Sequence, residues 1–294
     1  MNLPLIPPFD QTAAEAARQR QNRLTKPTGA LGRLETLSIQ LAGITARPRP
    51  RFHNKAVILM AADHGVAGEG VSAYPPEVTA QMVLNFQRGG AAINVLARQA
   101  GAQVTVVDIG VNYDFNDLPG ILHRKIARGT ANLRRQPAMT LAQAERAVQI
   151  GIEVAEDHIR RRVDLIATGE MGIGNTTPAA AITAVMTGRP VEAVTGRGTG
   201  LDDAGLARKI EVIGGAIARH QPDPQDALDV LAKVGGFEIG GLAGVMIAAA
   251  SQRVPVVVDG FISGAAALIA AGLKPEIKPY LIASHLSQEI GHRA

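Results

Sequence analysis

The chain of 294 residues has no cysteine and no tryptophan, and its aromatic residues amount to 3%. Without a thiol there is no disulfide framework, no thiolate nucleophile and no cysteine-ligated zinc or iron–sulfur cluster. So few rings leave little to stack on bases, and the 30 basic residues, set against 26 acidic ones, are scattered. Nucleic-acid binding calls for a basic face with stacking groups, so none is expected. The one dense basic cluster, Arg160-Arg161-Arg162, closes a helical pattern just before an apolar run. A cationic last turn belongs there, opposite the negative end of the helix dipole.

Long apolar stretches are also missing. Those present are broken by Gly, Asp or Pro, well short of the roughly 20 residues of a membrane span. The start, MNLPLIPPFD, has neither the basic opening nor the apolar run of a secretion signal. A soluble, cytoplasmic protein is expected. The seven histidines form no i,i+4 pair and no HExxH pattern, so no metal is expected.

What the chain does contain points to an α/β fold. Glycine is abundant, at 32 residues or roughly 11% against a usual 7%, and much of it follows short β-branched runs. These runs are Ala56–Met60, Val104–Val107, Val163–Ala167, Val254–Val258 and, more weakly, Tyr280–Ala283. They are continuous rather than alternating, as parallel strands covered on both faces are. Helical patterns lie between them, at Thr140–Ile159, along the Leu206–Ile217 stripe, and at Leu242–Ala250 and Ala265–Ala271. Strand and helix in alternation predict a parallel, Rossmann-like sheet flanked by helices. Two further helices, Gln11–Leu24 and Leu34–Ile44, precede an extended Arg47-Pro48-Arg49-Pro50-Arg51 stretch. Residues 1–50 are therefore expected to form a small helical unit and linker, and residues 51–294 a large α/β domain.

Acids, glycines and hydroxyls collect after the runs: Asp63-His64-Gly65, Asp108-Ile109-Gly110, Thr168–Thr177, Asp259-Gly260 and Ser284-His285. In an open parallel sheet these ends share one edge, where ligands bind. The segment Gly169–Pro178 is the most informative. Thr176 or Thr177 is expected to cap a helix opening at Pro178, a favoured first helical residue. Glycines 172 and 174 are expected to leave backbone N–H groups bare before it, an anion site suited to phosphate. There is no Walker A signature and no GxGxxG after the first run, which disfavours a nucleoside triphosphate and a nicotinamide-dependent oxidoreductase. A second glycine-rich loop, Gly196-Arg197-Gly198-Thr199-Gly200, is either another cradle for an oxygen-rich group or a flexible turn before a helix capped by Asp202.

Several of these strings together resemble one family. They are Lys26–Glu35, Ala62–Val66 with Glu69–Ser72, Gly169–Thr177, Gly196–Leu201, Val258–Phe261 and Ser284–Ser287, in family order. The chain is similar to nicotinate-nucleotide:dimethylbenzimidazole phosphoribosyltransferases. That resemblance implies transfer of phosphoribose from nicotinate mononucleotide to 5,6-dimethylbenzimidazole, giving α-ribazole 5′-phosphate and nicotinate, the lower-ligand step of cobalamin synthesis. It also implies a homodimer that needs no cofactor. Carried onto this sequence, Gly174, Asn175, Thr176, Thr177, Asp259, Gly260 and Ser284 are the phosphoribosyl contacts, and Ser72 and Gln81 line the base pocket. Glu170 stands near the reacting centre. Lys209 is a nearby basic group, with a solvated helix lysine as the alternative reading. The family's principal general base is a glutamate in a Gly-Glu-Gly loop beyond the Ser-His segment, and this chain ends at Ala294 before it. Nucleotide binding with weak transfer is the resulting expectation, and a non-catalytic binding protein its alternative.

Overall fold

The computed structural model describes residues 1–116 and 118–294. Six strands form one sheet: β1 (Lys55–Ala62), β2 (Ala102–Gly110), β3 (Ile121–His123), β4 (Leu165–Met171), β5 (Val256–Val258) and β6 (Leu281–Ala283). All pairings are parallel and the order is β3-β2-β1-β4-β5-β6. This is the doubly wound order, which reverses direction between β1 and β4 and opens a crevice at the strands' carboxyl ends there. β1 shows why its run is continuous. Ala56, Ile58, Met60 and Ala62 enter the larger core, while Leu59 and Ala61 enter a smaller core on the opposite face.

The helices are α1 (Gln11–Asn22), α2 (Arg33–Thr45), α3 (Val78–Gln87), α4 (Ala92–Ala100), α5 (Leu141–Arg160) and α6 (Thr176–Thr187). They continue with α7 (Val191–Val194), α8 (Asp203–His220), α9 (Ala227–Val234), α10 (Phe237–Ser251) and α11 (Phe261–Leu273). The wholly apolar patterns are buried, as expected: α10 is buried from Phe237 through Ala250. Its contact with α5 is backbone to backbone. A Cβ on Gly151 would stand 1.8 Å from the Gly241 carbonyl oxygen, and one on Gly244 1.9 Å from that of Val148. The Arg cluster does end a helix. Arg160 is the last residue of α5, and Arg161 pairs with Asp157 at 2.7 Å.

Several boundaries differ from the sequence expectation. β4 runs on to Met171 because its pairing with β1 continues through Leu59↔Gly169, Met60↔Glu170 and Ala61↔Met171. Gly169, Glu170 and Met171 are therefore strand, not loop. α6 opens at Thr176 behind Asn175, whose backbone is already helical, so Pro178 is the third residue rather than the first. α1 stops at Asn22. β3, α3, α4, α7 and α9 were not foreseen.

The amino-terminal helices are fastened to the far edge of the sheet. Asp10 caps α1 by accepting from Ala13 N–H at 2.8 Å, and the Phe9 ring fills the space over Gly43. Tyr280 donates its hydroxyl hydrogen to the Pro7 carbonyl at 2.7 Å, and the Arg253 guanidinium donates to Pro8 and Ile44 carbonyls. Gln40 on α2 donates to the Pro279 and Leu281 carbonyls at 3.1 and 3.0 Å. Among the described residues, no helix is long and apolar enough to cross a membrane.

Candidate active site

The junction of β4 and α6 is the centre of the site. Gly174 sits at φ +87°, a left-handed conformation that glycine adopts without steric cost. Among the described residues the N–H groups of Gly174 and Thr176 donate to no protein acceptor, and they stand before the positive end of a 12-residue helix. Gly172 has a different task from the one expected. A Cβ there would approach the Ala62 carbonyl oxygen to 2.5 Å and His64 Nε2 to 3.0 Å, so its missing side chain makes room for a histidine. The threonines do not cap the helix. Thr176 accepts from Lys209, and Thr177 is fully buried with no partner for its hydroxyl among the described residues.

Lys209 corrects the solvated-lysine alternative: its exposure is 0%. On α8 the stripe that turns inward is Gly205, Lys209, Val212, Ile213 and Ala216, which places the ammonium under the mouth of α6. Nζ donates to Thr176 Oγ1 at 2.7 Å and to the Gly196 carbonyl at 3.2 Å, two neutral acceptors. Burial pulls its pKa down to about 8, with the Glu289 carboxylate acting in the opposite sense. The glycine-rich loop before α8 is not an open cradle. Gly198 N–H donates to Glu289 Oε1 at 2.8 Å, so one of its donors already serves the protein's own carboxylate.

Adjacent parallel strands bring the other expected contacts to the same edge. Glu170 is the last residue but one of β4, Asp259 follows β5 and Ser284 follows β6. Asp259 N–H donates to Thr168 Oγ1 at 3.1 Å, and Ser284 donates to the Asp259 carbonyl at 3.1 Å. Those bonds fix the Asp259 backbone while its half-exposed carboxylate faces outward, with His285 Nδ1 at 3.9 Å. Gly260 precedes the first turn of α11. Glu170 accepts from Asn175 Nδ2 at 2.5 Å. Burial, joined by the Glu238 and Asp259 carboxylates, pushes its carboxyl up to about 7 against the Asn175 hydrogen bond and His64.

Behind Glu170 lies a cluster only part of which is legible in the sequence. His64, at the tip of β1, pairs through Nε2 with Glu238 Oε1 at 2.7 Å, both side chains wholly buried. Burial pulls the imidazole pKa down, but the Glu238, Asp63 and Glu170 charges outweigh it and hold it above the ordinary value. Glu238 was missed, although it is the one charged residue of an otherwise apolar helix pattern. Asp63 accepts from Asn112 N–H at 2.7 Å, and burial pushes its carboxyl up.

Asp63, His64, Gln81, Asn112, Tyr113 and Arg128 line a cavity of about 570 Å³ at the tips of β1 and β2. Of the two expected base contacts, Gln81 opens onto it and Ser72 does not. Ser72 Oγ instead meets Thr199 Oγ1 at 3.0 Å, bridging to the glycine-rich loop. Among the described residues, no group of three or more histidines or acids is placed to hold a metal ion.

A parallel sheet of doubly wound order, with a glycine-lined helix mouth, a buried cation and clustered carboxyls at its reversal point, defines a doubly wound α/β protein with its candidate site at that crevice. Residues 6–294 match the sequence model of a phosphoribosyltransferase family. The chain is 65% identical over 289 residues to the nicotinate-nucleotide–dimethylbenzimidazole phosphoribosyltransferase of Roseiflexus sp. (strain RS-1), spanning 98% of this chain and 82% of that protein. Against the enzyme of the same name from Geobacter sulfurreducens the identity is 55% over 288 residues, with 98% and 82% covered. A crystal structure of that enzyme from Thermus thermophilus superposes with a TM-score of 0.92 at 47% identity, covering 97% of this chain and 84% of that one. The chain belongs to the family of nicotinate-nucleotide–dimethylbenzimidazole phosphoribosyltransferases.

Proposed function

We propose that this protein transfers phosphoribose from nicotinate mononucleotide to 5,6-dimethylbenzimidazole, releasing nicotinate and α-ribazole 5′-phosphate for lower-ligand assembly in cobalamin synthesis. The observation that carries the nucleotide's place is Lys209: a buried ammonium with neutral protein acceptors, beside a helix mouth whose Gly174 and Thr176 N–H groups have no acceptor among the described residues. Such a cation is costly to bury unless an anion meets it, and a phosphate fits both the charge and the donors. In this reading Gly174, Asn175, Thr176 and Thr177 with Lys209 hold the phosphate. Asp259 accepts from the ribose hydroxyls, with Gly260 and Ser284 beside it. Gln81 flanks the acceptor base in the cavity at the tips of β1 and β2, whereas Ser72, tied to Thr199 Oγ1, does not reach that cavity.

The chemistry then asks little of the protein. As the C1′–N bond to the cationic nicotinate ring breaks, its electron pair neutralises the ring, so no acid is needed at the leaving group. A benzimidazole nitrogen donates its lone pair to C1′, and the proton on the other ring nitrogen must leave. Glu170, with its carboxyl near neutrality, takes that proton. General-base help contributes about 10²–10⁴-fold. Alignment of two bound substrates contributes up to roughly 7–11 kcal/mol.

The proposal includes two structural units, residues 1–50 and 51–294, and a cytoplasmic homodimer, which sedimentation equilibrium tests. Calorimetric titration with nicotinate mononucleotide tests the phosphate seat. Gly174→Asp, which puts a carboxylate at the seat, is expected to abolish binding, and Thr176→Val to weaken it with the fold intact. Unchanged affinity in both places the nucleotide elsewhere. A single-turnover assay for released nicotinate separates transfer from binding alone.

A further inference from the structure

The Gly196–Gly200 loop is shaped on two sides. On one, a Cβ at Gly196 would lie 2.3 Å from Glu289 Oε2. On the other, a Cβ at Gly198 would lie 2.9 Å from Thr176 Oγ1 and 3.2 Å from Lys209 Nζ, at a φ of +55°. Two glycines thus let a short loop press between a carboxylate and an ammonium. Glu289 is gripped from its own side as well. Its N–H donates to Ser287 Oγ at 3.1 Å, and Ser287 N–H donates to His292 Nδ1 at 2.8 Å. Gly291 packs so closely that a Cβ there would stand 2.4 Å from the Val194 carbonyl oxygen. Glu289 Oε1 takes the Gly198 N–H, whereas Oε2 is buried without a hydrogen-bond partner among the described residues.

A carboxylate half-satisfied in this way is not there for fold stability alone, since a buried acceptor without a donor costs about 1–3 kcal/mol. Lys209 is the group it can serve. The Gly196 carbonyl accepts from Lys209 Nζ while the Gly196 Cα faces Glu289, so one residue separates the two charges. The other charged groups near Lys209 are engaged elsewhere. Arg197 is bound to Asp203 and to the Leu201 carbonyl, Arg208 reaches to Gly70, and Glu211 pairs with Arg134. From α6 only the neutral Thr176 and the helix mouth face it.

We infer that Glu289 is a positioning residue for nucleotide binding: seated in the Gly196–Gly198 loop, it keeps Lys209 charged and aimed at the mouth of α6. The inference rests on the phosphate seat proposed above. It has a consequence for pH, because Lys209 titrates near 8 with Glu289 in place. Glu289→Gln keeps an oxygen for Gly198 N–H and removes only the charge, so the lysine pKa falls further. If it falls by one unit, the charged fraction drops about eightfold at pH 8.5 and less than about twofold at pH 6.5.

The experiment is calorimetric titration of the full chain with nicotinate mononucleotide at both pH values, for the parent, Glu289→Gln, Gly196→Ala and Lys209→Met. Expected is a larger affinity loss in Glu289→Gln at pH 8.5 than at pH 6.5, about eightfold against under about twofold for a one-unit fall. Gly196→Ala, which evicts the carboxylate without removing it, should follow the same pattern. Lys209→Met should be weak at both pH values. Equal losses at the two pH values in Glu289→Gln, or tighter binding, overturn the inference while Lys209→Met still supports the seat. Unchanged affinity in Lys209→Met overturns the seat, and the role of Glu289 with it.

Discussion

The imidazole of His64 and the carboxylate of Glu238 meet at 2.7 Å, 174 residues apart in sequence and with neither side chain reaching solvent. They join the tip of β1 to the first turn of α10 directly behind Glu170. Removing one member of such a pair leaves a buried charge alone, which costs about 3–5 kcal/mol. His64→Ala is expected to lose that much in urea unfolding. His64→Leu combined with Glu238→Leu should recover part of it. A loss below about 1 kcal/mol in His64→Ala would mean that the pair does not brace the strand tip.

The same pair sets a pH dependence. His64 has a raised pKa in the folded state, so the stability it contributes is complete below its unfolded value of about 6.5. That contribution is lost as pH climbs through the raised folded value. The parent is expected to lose unfolding free energy over that window, and His64→Gln to show a flatter profile. Parallel profiles would reject the linkage.

Glu170 behaves in the opposite way to an ordinary surface carboxylate. Its carboxyl is raised to about 7, so in the folded protein it resists ionising where the unfolded chain ionises near 4.5. The folded state is therefore penalised progressively between pH 4.5 and 7. Glu170→Gln should match the parent in stability at pH 4 and exceed it at pH 8.5. Asn175→Ala, which removes a hydrogen bond to the ionised form, should move the carboxyl titration upward in carbon-detected NMR. A titration near 4.5 in the parent would contradict both.

Close backbone contact between α5 and α10 predicts a severe response to one methyl group. In Gly151→Ala the new carbon would meet the Gly241 carbonyl oxygen at 1.8 Å, with no side chain to swing aside. Overpacking typically costs about 1–3 kcal/mol, and this site should lie at or above the top of that range in thermal unfolding. Gly214→Ala on α8 is the control, since nothing lies within 4 Å of a Cβ there. It should be neutral or stabilising by up to about 1 kcal/mol.

How much of this was readable in the sequence depends on how local the determinant is. The runs that became β1, β2, β4, β5 and β6 were visible because strands covered on both faces need apolar residues at every position. Glu170, Asp259 and Ser284 followed from them, since parallel pairing sends every carboxyl end to one edge. β3 was invisible because Ile121-Leu122-His123, set between Gly120 and the basic Arg124-Lys125, has a single β-branched residue and reads as loop. The inward turn of Lys209 was not readable either. Its acceptors lie 33 and 13 residues away, and a lysine at that spacing on a helix reads as solvated until those partners are placed. Glu289 was hidden for the same reason, its donor being 91 residues distant. Gly172 misled because glycine beside a helix start reads as a bare amide, whereas here its neighbour is the imidazole from β1.

The outer edge of β6 is partly covered from within the chain. Gln40 spends its side-chain amide on the carbonyls of Pro279 and Leu281, at the outer margin of β6. Of these, the Leu281 oxygen belongs to β6 itself and is an acceptor that an incoming strand would use. With the Leu281 oxygen taken, the first acceptor on that flank of the sheet is already occupied by a glutamine lying outside it.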